Sequence, residues 1–219
     1  YSSGEFFKNT FKSLYDLKNL KTENENLKAE VEKLKEQNRQ LIQMALENGR
    51  LRSLLEFKDT NTQFEYIGAN VTGRDPGNWY DVYTIDKGSK DGVQVNDAVI
   101  VGHGYLVGKI IETGANYSKI MAIIDERSSI SIIVNRTRDM GIVSGSADSD
   151  VIAIMELEAD IVKGDDIITS EYSTLPKSLH IGKVKSVEKQ EKKLQKVVII
   201  EPSVDFKRLE EVFVIKASK

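Results

Sequence analysis

The sequence predicts a mainly β protein with an N-terminal α-helical coiled coil and two small six-stranded antiparallel β-barrels. Three observations carry this expectation. Leu recurs every seven residues along the first quarter of the chain, about twelve short β-rich runs fill the rest, and no helix-length segment separates those runs.

Leu20, Leu27, Leu34, Leu41 and Leu55 share one position of the seven-residue repeat, with Leu17, Val31 and Ala45 three residues before it. So narrow a seam marks a coiled coil, because a helix packed on its own domain shows a wider apolar stripe. With the Leu series as d, the a positions are Leu17, Asn24, Val31, Asn38 and Ala45. Asn at a lowers stability but pairs best with its own copy across a parallel two-stranded interface. Glu23 against Lys28 and Glu30 against Lys35 of the second chain favour the same parallel homodimer. The expected dimerisation residues are therefore Leu17, Leu20, Asn24, Leu27, Val31, Leu34, Asn38 and Leu41. The repeat decays at Asn48-Gly49 and the stretch Asp59-Thr60-Asn61-Thr62 reads as a linker, which bounds the helical domain at residues 1–58. Phe6, Phe7 and Phe11 do not fit the seam and suit either a membrane-proximal end or a frayed terminus.

After Thr62 the period changes to two. Strands are expected at 65–71, 81–85, 98–101, 105–112, 119–124, 129–134, 141–145, 151–157, 166–169, 180–187, 196–201 and 211–215. Twelve are too many for one small barrel and fit two of six. An internal echo points to duplication: VQVNDAVI at 93–100 resembles IVKGDDII at 161–168, and VGKI at 107–110 resembles IGKV at 181–184. Each pairs a turn with a Gly kink in the following strand, a common hairpin recipe.

The stretch VTGRDPGNWY at 71–80 holds the chain's one Trp. Pro76 suits the first corner of a turn, Gly77 the second, and Asp75 and Asn78 bond local backbone. It reads as a structural corner, with Trp79 as an anchor at the start of the next strand. Arg74, Trp79 and Tyr80 form a candidate partner surface.

Composition narrows the function. A chain of 219 residues with net charge −3 lacks the basic excess that a phosphate backbone requires, so nucleic acid is not an expected partner. With no Cys there are no disulfides, thiolate metal sites or Cys nucleophiles. The longest aliphatic run, 197–200, is far short of a membrane span. The chain starts at Tyr1 rather than Met, so it is expected to be a fragment with its targeting residues upstream.

Catalytic material is sparse. The two His, His103 and His180, could form a hydrolase triad only with Asp125 and Ser144 or Ser146, and Ser144-Gly145-Ser146 is no nucleophile elbow. The run GHGYLVGK at 102–109 has the wrong spacing for a phosphate loop and reads as a hairpin. The acids at 148–150 and 165–166 lack the ladder of a calcium loop and read as solvated turns. No catalytic residue, cofactor or metal is expected. The competing readings are a barrel-fold hydrolase and a peptidoglycan-binding module using Trp79, Tyr80 and Tyr83.

Several stretches together carry a resemblance. They are NGRLRSLLEF at 48–57, GRDPGNW at 73–79, IDKGSKDGV at 85–93, GYLVGK at 104–109, GDDIITS at 164–170 and IGKV at 181–184. The chain resembles the bacterial rod shape-determining protein MreC family, departing from it at Glu171-Tyr172-Ser173, where the family commonly has a Gly. The resemblance implies a single-pass membrane protein whose spanning helix lies upstream, leaving this part on the extracytoplasmic side. It implies a non-enzymatic scaffold of cell elongation that self-associates and links MreB, MreD and RodA to penicillin-binding proteins. It also implies interleaved barrels: residues 62–95 and 160–219 in one, and residues 96–159 in the other, inserted. A tandem split near 145 is the alternative.

Overall fold

The computed structural model describes the backbone of residues 3–60, 64–75, 81–146 and 150–216, and their side chains other than those of 3–20, 22, 54 and 58–60. Helix α1 runs unbroken over Ser3–Thr60. Its sequence is rich in Leu, Lys and Glu and contains no Pro, so no proline interrupts it.

The chain divides into two compact units, Tyr1–Leu51 and Arg52–Lys219. The last turns of α1 therefore belong with the β structure, ahead of the expected boundary at 58. The reason is aromatic: Phe57 stands edge-on to Tyr66, 6.2 Å between centroids, and Tyr66 in turn meets Phe64 and Phe213.

Twelve strands follow among the described residues: β1 Tyr66–Arg74, β2 Val82–Ile85, β3 Ala98–Val101, β4 Tyr105–Thr113, β5 Ser118–Ala122 and β6 Ile130–Val134, then β7 Met140–Gly145, β8 Val151–Glu156, β9 Asp166–Thr169, β10 His180–Gln190, β11 Gln195–Pro202 and β12 Glu211–Ile215. Each falls on an expected run. They close into two antiparallel rings. The first runs β1-β2-β5-β4-β3-β12 and back to β1. The second runs β6-β7-β8-β11-β10-β9 and back to β6.

This pairing corrects the expected membership. The barrels are interleaved, but the first takes β3, β4 and β5 from the segment assigned to the inserted barrel, and the second takes β9, β10 and β11 from the segment assigned to the first. The insertion spans β6 to β11, and neither 96–159 nor a split at 145 bounds a closed ring. The ladders decide it: β5 pairs on one side with β2, Val82 opposite Met121, and on the other with β4, Ile110 opposite Ile120, which closes the first barrel before β6 begins.

The two rings share one cyclic order when β12 is placed ahead of β1. β3 then corresponds to β9 and β4 to β10, which is where the sequence echo lies. The matching turns are built alike: Asp97 accepts a hydrogen bond from the Gln94 N–H at 2.8 Å, and Asp165 from the Val162 N–H at 3.0 Å. Gly108 and Gly182 also correspond, each at a crossing where a side chain would run into a carbonyl oxygen of the neighbouring strand, Met121 or Glu201.

Inward-facing aliphatics fill the rings. Ile85, Ile100, Leu106, Ile110 and Ile120 are fully buried in the first barrel, and Ile132, Ile167, Ile181 and Ile200 in the second. The connector between β5 and β6 is fixed by Asp125, whose buried carboxylate accepts bonds from the Arg127 N–H and guanidinium and from the Asp81 N–H. Burial pushes this carboxyl up, and the bonds from Arg127 outweigh that and hold it below its ordinary value.

Candidate functional site: partner-binding surfaces

The first surface is the seam of α1. Leu27, Val31, Leu34 and Leu41 are 47–65% exposed in the single chain, and Asn24 and Asn38 are exposed beside them. The side chains of Leu17 and Leu20 lie outside the described residues. Along the flanks Lys35 bonds Glu32 at 2.8 Å and Arg39 bonds Glu36 at 2.6 Å, within one helix.

The second surface was not singled out from the sequence. On β7 and β8 the inward face carries Val143, Val151, Ala153 and Met155, all buried. Alternation then turns Met140, Ile142 and Ile154 outward, each more than half exposed. Register aligns them across strands: Ile142 is opposite Ile154, and Ile154 is opposite Val197 on β11. Ile152 and Ile199 form the next row of the same face. The outer face of β7, β8 and β11 is thus apolar over these rows, where a solvated sheet face is ordinarily polar.

A groove of about 570 Å³ opens on this face, lined among others by Ser131, Met140, Ile142, Ile154, Tyr172 and Leu194. Tyr172 and Leu194 rim it at 71% and 74% exposure. Leu194 also holds a left-handed backbone, φ 52°, at the turn between β10 and β11. A branched residue in that conformation is uncommon and costs about 1–2 kcal/mol. An apolar side chain thus stands in solvent at the rim of the groove, on a turn held in an uncommon backbone conformation.

The corner after β1 is different. Arg74 donates to Asp81 at 2.6 Å and lies over the Tyr83 ring, 5.5 Å from its centroid. Both contacts lie within its own barrel, and the Arg74 side chain stays about half exposed. Tyr83 is 2% exposed and donates to the Phe206 carbonyl at 2.8 Å, so it belongs to the core and offers no face to a sugar. Trp79 and Tyr80 lie outside the described residues.

The proposed triad members do not meet. Asp125 is bound to Arg127, the Ser146 hydroxyl donates to the Asp150 carbonyl, and His103 stands 4.0 Å from Glu56. Instead His180 lies between Asp166, 3.1 Å from Nε2, and Ser203, 3.2 Å from Nδ1. Sequence spacing gave no signal of this grouping, which forms because β9, β10 and the end of β11 converge. It has the connectivity of a Ser-His-Asp triad without its electrostatics. Asp166 is shared with Lys183 at 2.9 Å, whose bond, with that of His180, holds the carboxyl below its usual value. The Ser203 N–H donates to the Ile181 carbonyl at 3.0 Å, so it is not free to stabilise an oxyanion. Among the described residues no group of three or more His, Asp or Glu is placed to hold a metal, and no helix is long and apolar enough to cross a membrane.

Comparison with known proteins bears on these surfaces. The family model "Rod shape-determining protein MreC, barrel core" matches residues 71–216. The cell shape-determining protein MreC of Listeria monocytogenes is 31% identical over 220 residues, covering 97% of this chain and 74% of its own. A solved MreC structure from the same species aligns with a TM-score of 0.65 at 27% identity, over 90% of this chain and 97% of that one. A solved complex between the penicillin-binding protein PBP2 and MreC from Helicobacter pylori aligns at TM-score 0.58 and 13% identity, over 71% and 99% of the two chains, a likeness of fold.

Proposed function

The chain belongs to the rod shape-determining protein MreC family, and from that premise we propose that it is a non-catalytic scaffold of bacterial cell elongation. It dimerises through the α1 seam and holds peptidoglycan-synthesis enzymes on its second barrel, on the extracytoplasmic side of a membrane in which an upstream helix anchors it. Its partners are a penicillin-binding protein and, through the same assembly, MreD, RodA and MreB.

The observation that carries this reading is the outward row Met140, Ile142 and Ile154, rimmed by Tyr172 and Leu194. Exposed apolar patches of this kind mark protein interfaces, and Tyr is among the residues that anchor them. The H. pylori complex supports a penicillin-binding protein as the occupant.

The test is binding of the chain to the immobilised extracytoplasmic domain of a penicillin-binding protein. I142D and I154D lie on solvent-facing positions, so both variants fold with unchanged circular dichroism and lose binding. Binding equal to the parent chain would overturn the assignment of this face. Fluorophosphonate labelling of Ser203 would reinstate the hydrolase reading, and co-sedimentation with cell-wall sacculi the peptidoglycan-binding one.

A further inference from the structure

We propose that the coiled coil changes register at Leu41, where three residues are inserted into the heptad, and continues to Leu55 against a second copy of this chain. This rests on the dimer reading above. Up to Leu41 the core positions alternate in steps of four and three: Leu20, Asn24, Leu27, Val31, Leu34, Asn38, Leu41. Continued without interruption, the seam would bring Ala45, Asn48, Arg52 and Leu55 to the interface. That places a charge at a, a small residue at the preceding a, and Asn at d. Meanwhile Met44 and Leu51 would stand on the flank, where they are 62% and 41% exposed in the single chain.

A second consecutive step of three, from Leu41 to Met44, resolves all of this together. The core becomes Leu41, Met44, Asn48, Leu51 and Leu55. Asn48 moves from d to a, the position already held by Asn24 and Asn38 and the one at which Asn pairs across a parallel dimer. The flanks agree independently. In the shifted register Glu47 occupies g and Arg52 the following e, five residues on. Glu23 with Lys28 and Glu30 with Lys35 have that same order and spacing. Charge complementarity that lapses at Gln37 and Ile42 is thus regained beyond the shift. The insertion fits ten residues into three turns, about 3.3 per turn, and so overwinds the left-handed supercoil locally. The helix of the structure runs through the shift without a break.

The chain has no Cys, so single cysteines report the seam directly. V31C, M44C, A45C, L51C and R52C are oxidised in the full chain and the rate of disulfide-linked dimer is followed. Facing core positions bring Cβ atoms into disulfide range and flanking ones do not. The expected result is fast linkage at V31C, M44C and L51C, and linkage at A45C and R52C slower by about tenfold or more. Fast linkage at V31C with A45C and R52C ahead of M44C and L51C would leave the dimer standing and overturn the register shift. Linkage at V31C alone would end the coil before Met44 and overturn it also. No linkage at V31C or any other position would remove the dimer reading and this inference with it.

Discussion

His180 on β10 and Tyr105 on β4 meet edge to face, 5.5 Å between ring centroids, at the strand bridge that joins the two barrels. The backbone reinforces the contact: the His180 N–H donates to the Gly104 carbonyl at 3.1 Å. His180 is thereby tied to the first barrel by ring and backbone, and to Asp166 and Ser203 by its two nitrogens.

Replacing that ring uncouples the barrels before it unfolds either. H180A loses an aromatic pair and side-chain hydrogen bonds, a cost of about 1–3 kcal/mol. Hydrogen exchange should accelerate at 104–106 and 180–182 while the ladder of β7 with β8 keeps its protection. Equal acceleration throughout the second barrel would show that the residue serves that barrel's core and not the joint.

Acid should weaken the fold through its bonded carboxylates. Asp165 accepts two bonds from the Arg136 guanidinium at 2.9 Å and one from the Val162 N–H, and the Arg136 bond chiefly holds its carboxyl below the ordinary value. A depressed folded value stabilises the protein above the unfolded value, about pH 4, and that stability is lost as pH falls through the folded value. D165N therefore melts below the parent at pH 7, and the gap narrows as pH drops beneath about 4. A gap independent of pH would assign the loss to packing.

Strand positions and the long N-terminal helix were legible because both rest on local period and local turns. All twelve strands fall where alternation put them, including short ones such as Asp166–Thr169. Barrel membership was legible only in part: β12 was expected beside β1, but no local signal says that β3, β4 and β5 join that same ring or that β9, β10 and β11 leave it. The echo between 93–100 and 161–168 held the missing information: equivalent hairpins occupy different rings, and each ring needs a full set of six. The groove was also written in the sequence. Ile142 and Ile154 stand at positions where period two demands a polar residue, but in a run as apolar as VIAIM at 151–155 the departure is masked by the inward residues between them. The His180 cluster depends on three strand ends and left no trace in spacing.

The paired glycines should be sensitive at equivalent places. At Gly108 and Gly182 an added Cβ would run into backbone of the next strand, which cannot yield as a side chain end would. G108A and G182A each cost about 1–3 kcal/mol. G108A should lower protection in β4 and β5, and G182A in β10 and β11. Gly164 is the contrast, with φ 93° and open space around it, so G164A carries backbone strain alone, about 1–2 kcal/mol. Thermal melts that rank G164A below both others would contradict the close-approach argument.

Leu194 separates stability from binding most cleanly. Its left-handed backbone is needed by the turn, since its N–H donates to the Glu191 carbonyl at 3.2 Å, but its side chain contributes little to the fold at 74% exposure. Asn adopts that conformation more readily than Leu. L194N should therefore melt at or above the parent temperature, with a gain of up to about 1 kcal/mol. If the rim of the groove is a docking anchor, the same substitution weakens binding to the penicillin-binding protein by about tenfold, equivalent to about 1.4 kcal/mol. The two effects have opposite signs, so loss of binding cannot be ascribed to unfolding. A variant that melts lower and binds as before would mean that Leu194 only shapes the turn.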